Sequence, residues 1–94
     1  MPKNVGIEVL IKKFMRLDKY LKVSRLIKRR TVAAEACDGG RVSVNNKPAK
    51  PSHEIKQNDI IEISFGEKKV RVRVTEIKEH VSKAAAPDMY EALS

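Results

Sequence analysis

The glycine pair Gly39-Gly40 marks the point where the hydrophobic period of this chain changes. Upstream, Leu17, Tyr20 and Leu21 fall at i, i+3 and i+4, which predicts a short helix from Leu17 to about Val23. Val32, Ala33, Ala36 and Cys37 make a second such face, mostly of small side chains, on a helix from about Arg30 to Asp38. Downstream, Val42 and Val44 alternate with Arg41 and Ser43, the period of a half-buried strand. Glycine closes a helix in the left-handed conformation at little steric cost, so the pair reads as a helix stop. Helices this short do not persist alone in water and must be held by packing on the C-terminal part of the chain.

That C-terminal part reads as a sheet. Asn45-Asn46 tolerates positive φ and suits a tight turn. Lys47–Lys50 returns as a short strand that Pro48 confines to an edge. Pro51–Asp59 reads as a loop, and Ile60–Phe65 as a strand with Ile61, Ile63 and Phe65 on one face. Gly66-Glu67 suits a type II′ turn into a strand from Lys68 to Ile77, with Val70, Val72 and Val74 inward and Arg71 and Arg73 outward. The predicted class is α+β: two short N-terminal helices packed on a small, mostly antiparallel sheet, with a short C-terminal helix. Ninety-four residues hold one modest core, here residues 15–80. In residues 1–14, Val5, Ile7 and Val9 alternate but Leu10 and Ile11 break the period, so this segment is expected to be a poorly ordered arm. Residues 81–94 form a tail whose Met89, Tyr90 and Leu93 predict a helix over Asp88–Leu93.

The net charge is +8, and it is unevenly placed. Residues 15–38 carry seven bases (Arg16, Lys19, Lys22, Arg25, Lys28, Arg29, Arg30) against Asp18, Glu35 and Asp38, a net of +4. Arg41, Lys47 and Lys50 come next, with no acid among residues 39–50. A domain this basic calls for a polyanionic partner. Placement matters more than count. Arg16 precedes the first helix and Arg29 and Arg30 open the second, although a helix N-terminus disfavours cations by about 0.3–1 kcal/mol each. Phosphate reverses that sign, accepting from the free N–H groups and from guanidinium forks at once. The competing reading is that these arginines pair with Asp18, Glu35 or Asp38.

Other classes find little support. No apolar run approaches the roughly 20 residues of a membrane helix, so no membrane partner is expected. The single cysteine, Cys37, permits no internal disulfide and fits a reducing, cytoplasmic setting. Cys37 lies on an apolar helix face and reads as a small core residue. His53 and His80 lack companions at metal-ligand spacing and read as surface residues. Asp18 is read as steadying a neighbouring arginine. No catalytic residue, metal site or cofactor is expected, and the chain is not read as an enzyme.

The pattern Arg16-Leu17-Asp18, then Lys28 to Arg30, then Gly40, Val42, Val44 and Asn45, resembles the RNA-binding domain named after small-subunit ribosomal protein S-four, the alpha-L RNA-binding motif. Ile55-Lys56-Gln57-Asn58-Asp59-Ile60 resembles that family's Val-Lys-Pro-Gly-Asp-Ile turn, with Gln57-Asn58 in place of Pro-Gly. The resemblance covers Met15 to about Ile77. It is strongest to the free-standing short form that works in bacterial ribosome-associated quality control. That implies binding to the large ribosomal subunit, through its rRNA and a peptidyl-tRNA, beside an RqcH-type elongation factor during alanine tailing. Alternatives are a heat-shock-type ribosome recycling factor or a DNA-binding or regulatory module. RNA contact is expected first at Arg16 and Arg30, then at Lys19, Lys22, Arg25, Lys28, Arg29, Arg41 and Lys47.

Overall fold

The computed structural model describes residues 14–93. The expected N-terminal arm therefore lies outside the described residues, apart from Phe14. Strand β1 (Met15–Arg16) leads directly into helix α1 (Leu17–Val23), and α2 covers Arg30–Asp38. A short strand β4 (Glu54–Ile55) pairs with β1 in a two-stranded ribbon. Five further strands, β2 (Val42–Val44), β3 (Lys47–Pro48), β5 (Ile60–Phe65), β6 (Lys68–Val74) and β7 (Tyr90–Leu93), form one antiparallel sheet in the order β3-β2-β5-β6-β7.

The core is the layer between helices and sheet. Leu17, Tyr20 and Leu21 of α1 and Ala33, Ala36 and Cys37 of α2 are buried with Val42, Val44, Ile61, Ile63, Val72 and Val74. Each large side chain of α1 so buried contributes about 1.5–3 kcal/mol, which holds a helix too short to stand alone. Small side chains on α2 allow the two helices to approach closely. Ile27 is buried and Leu26 packs against the core, so the connector is anchored between its exposed cations.

Turn chemistry matches the sequence. Asn45 and Asn46 adopt φ of 53° and 71°, and Gly66 a φ of 61°. Asp59, although buried, accepts from Asn45 Nδ2 (3.1 Å) and the Lys56 amide (2.9 Å), which locks the turn before β5 to the β2–β3 turn. At the end of α2, the Gly40 amide donates to Cys37 O (3.0 Å) and the Arg41 amide to Ala36 O (2.9 Å), with Gly40 at φ 74°. This paired closure satisfies carbonyls the helix would otherwise leave open.

Four expectations need correction. The tail does not form a helix over Asp88–Leu93. A 3-10 turn at Ala86–Met89 leads into β7, which pairs Tyr90–Leu93 with Arg71–Val74 of β6. A six-residue helix offers few internal hydrogen bonds, whereas the edge of β6 supplies a row of unpaired backbone groups. The loop Pro51–Asp59 contains β4, whose two residues carry no readable period. The strand opened by Lys68 ends at Val74, not Ile77. Val32 and Phe65, expected on core faces, are 44% and 46% exposed; Val32 lies in the first turn of α2 and Phe65 is the last residue of β5, so both stand at the ends of their elements.

Candidate nucleic-acid interface

The site is built around Asp18. It sits in the first turn of α1 and is 4% exposed. Arg16 reaches it through Nε (3.2 Å to Oδ1) and Nη2 (3.1 Å to Oδ2), and Arg30, arriving from α2, through Nη2 (3.4 Å to Oδ1). One buried carboxylate thus gathers two guanidiniums from different elements. Both arginine side chains remain about half exposed. A guanidinium has five N–H donors, so each keeps donors for a further acceptor, and the trio carries a net positive charge. Carboxylate pairing and phosphate binding compete as readings of the sequence. For Arg16 and Arg30 the structure shows the carboxylate pairing, with Asp18 as the shared partner, and leaves part of each guanidinium exposed.

The two helix beginnings differ. At α1 the Leu17 amide donates to His53 O (2.8 Å) and the Asp18 amide to Pro51 O (3.1 Å). The expectation that phosphate would use the open amides of α1 is therefore corrected: the loop that carries β4 already occupies two of them. At α2 the cap is Arg29, without a side-chain cap bond and without an acid in the first turn. Among the described residues, no acceptor takes the amides of Arg30, Thr31 and Val32, and Arg29 and Thr31 are exposed beside them. Open amides beside arginines at one helix start have the donors and the charge to accept an anion.

The connector adds a strained cation. Arg25 closes α1 at φ 64°, with its amide donating to Lys22 O (3.0 Å). That is a position glycine would occupy at less cost. Lys22 and Arg25 line a shallow groove with Val23, Glu79, His80 and Val81, and Lys28 is exposed. Lys19 does not join the Asp18 cluster; its ammonium pairs with Glu79 of the segment before the tail. Arg41 and Lys47 are not part of this cluster either. Arg41 lies past the far end of α2, about 13 Å along the helix axis from Arg30, and Lys47 lies on the outer edge strand β3. The open amides at the start of α2 are those that the sequence predicts a phosphate would use.

Groups with reactive potential are buried out of use. Burial pushes the Cys37 thiol up to about 11, with Asp18 and Asp38 adding to the shift, so it stays protonated at neutral pH. Burial, helped by Tyr90, also pushes the Tyr20 phenol far up, and its hydroxyl donates to Met89 O (2.6 Å), tying α1 to the tail. His53 and His80 are exposed. Among the described residues no group of His, Cys, Asp and Glu is placed to hold a metal ion, and no helix is long and apolar enough to cross a membrane.

A family profile described as S4 domain matches residues 15–61. The chain is 56% identical over 80 residues to a Streptococcus pneumoniae protein named RQC P-site tRNA stabilizing factor, covering 85% of this chain and 91% of that one. It is 52% identical over 79 residues to the Bacillus subtilis protein of the same name, covering 84% and 92%. Among solved structures, Vibrio cholerae Heat Shock Protein 15 superimposes with a TM-score of 0.80 at 26% identity, covering 87% of this chain and 84% of that one.

Proposed function

The chain belongs to the S4 domain family, and from that premise we propose that it is a non-catalytic RNA-binding factor of ribosome-associated quality control. It binds the large ribosomal subunit through rRNA and peptidyl-tRNA, stabilising P-site tRNA while a stalled nascent chain receives its alanine tail. An RqcH-type elongation factor is the partner that adds the tail, and the setting is cytoplasmic and ribosome-associated. The observation that carries this reading is the convergence of Arg16 and Arg30 on Asp18 beside the open amides of α2. Two cations and a helix start facing outward together suit the phosphates of folded RNA, which is read by shape and backbone more than by base.

Such a factor needs no bond-making group. Binding one tRNA position and not its alternatives stabilises that position by mass action. Arg16→Ala and Arg30→Ala are each expected to weaken large-subunit binding roughly tenfold and to lower the salt slope by about one. Unchanged binding by both variants overturns the site. A second reading, a heat-shock-type recycling factor, draws on the likeness to Heat Shock Protein 15. The higher identity to the tRNA-stabilising relatives favours the first.

A further inference from the structure

We propose that the tip of the β5–β6 hairpin is a second RNA contact, in which Phe65 stacks on an unpaired base, Lys68 on the same face holds the adjoining phosphate, and Arg41 and Lys69 on the other face meet the strand as it rounds the tip. The proposal rests on the RNA-binding reading above but uses a different surface. Phe65 is 46% exposed although it continues the face of the buried Ile61 and Ile63, as the last residue of β5 before the turn. Register places Phe65 directly opposite Lys68, and Ser64 opposite Lys69. The Ser64 amide donates to Arg41 O (2.9 Å), so Arg41, Ser64 and Lys69 stand abreast on three neighbouring segments.

The charge at the tip has an unusual distribution. Further along the same hairpin, Arg71 pairs with Glu62 and Arg73 with Glu91. Arg41, Lys68 and Lys69 are exposed and have no carboxylate partner among the described residues. Glu67 in the turn is the one acid there, which leaves a net positive tip. Cross-strand partners share a face, so Lys68 stands beside the Phe65 ring, while Lys69 and Arg41, abreast of Ser64, line the other face of the tip. An exposed aromatic ring with an unneutralised cation beside it suits stacking on a single strand. Arg41 lies past the C-terminal end of α2, so the tip stands about a helix length from the Arg16–Arg30 cluster. A single-stranded RNA segment there complements a double-stranded contact at the helix starts, and both together orient the domain.

The chain has no tryptophan, so Phe65→Trp creates a single fluorescent reporter at an exposed position. Its emission is expected to be quenched by a uridine-rich 12-nucleotide single strand and by large ribosomal subunits. Phe65→Ser is expected to weaken binding of both about 5-fold or more, with Phe65→Leu intermediate, and Lys68→Ala with Lys69→Ala to flatten the salt dependence. Unquenched emission on large subunits that the protein still binds, or full affinity of Phe65→Ser, overturns the proposal. So does a change in sedimentation of Phe65→Ser without RNA, which would assign the tip to self-association. Arg16→Ala and Arg30→Ala serve as the separate arm: if they bind normally while Phe65→Ser does not, the helix-start site fails and the hairpin contact stands. A wild-type protein that binds neither the single strand nor the large subunit ends the RNA-binding reading itself.

Discussion

Both helices close in the left-handed region, and they do so with opposite residues. α2 ends on Gly40 at φ 74°, whereas α1 ends on Arg25 at φ 64°. Glycine adopts that conformation freely, while any residue with a Cβ does so at a cost of about 1–2 kcal/mol. The end of α2 is shaped for stability. The end of α1 accepts strain and keeps a guanidinium in the connector between the two helices. The same contrast runs through the helix starts. α1 is tied into the body by the carbonyls of Pro51 and His53, and α2 begins with Arg29 and open amides. Backbone strain and cations at a helix start coincide in the connector and the helix it feeds.

This contrast can be broken or sharpened by substitution. The largest effect is expected at Asp18, which binds both arginines together. Asp18→Asn removes the charge that holds two half-exposed guanidiniums and is expected to cost about 1–3 kcal/mol of stability, read as a fall in denaturant midpoint. Large-subunit affinity should fall even though net positive charge rises, which separates aiming from simple attraction.

The two helix ends give a paired test of opposite sign. A Cβ at Gly40 meets nothing within 4 Å, so Gly40→Ala carries the backbone cost alone, about 1–2 kcal/mol of destabilisation. Arg25→Gly should stabilise by about 1 kcal/mol or less while weakening RNA binding. Thermal melts and binding titrations of the pair check this; an Arg25→Gly protein that is both stabler and fully competent removes Arg25 from the interface.

The smallest effect separates the helix starts. Arg29→Asp installs a favoured cap at α2 and is expected to stabilise by about 0.5–1 kcal/mol while reducing binding. Arg16→Asp places a second carboxylate beside Asp18 and is expected to destabilise. If both substitutions shift stability the same way, the two starts are not built differently.

Much of the fold was legible because short-range patterns agreed with long-range packing. The stripe of Leu17, Tyr20 and Leu21, the stop at Gly39-Gly40, the asparagine turn and the alternation of Val70, Val72 and Val74 each pointed to the element that forms. The tail misled because Met89, Tyr90 and Leu93 fit a helical stripe, and only the open edge of β6 decides for a strand. β1 and β4 are too short to show a period. Phe65 reads as core by alternation, and its exposure at the end of β5 is a tertiary fact. Arg16, Arg29 and Arg30 were legible as cations in costly places and pairing with Asp18, Glu35 or Asp38 as the alternative, but not that Arg16 and Arg30 would share Asp18 while Arg29 pairs with none of the three. A carboxylate next to an arginine in sequence says nothing of a second arginine arriving from another helix.

The central claim is that RNA phosphate lies against Arg16, Arg30 and the start of α2. Cryo-electron microscopy of large ribosomal subunits captured with the tagged protein tests it most directly. The account predicts rRNA or tRNA backbone density within hydrogen-bonding reach of both guanidiniums and the Thr31 and Val32 amides. Density on the sheet alone, with the helix starts facing solvent, would contradict it.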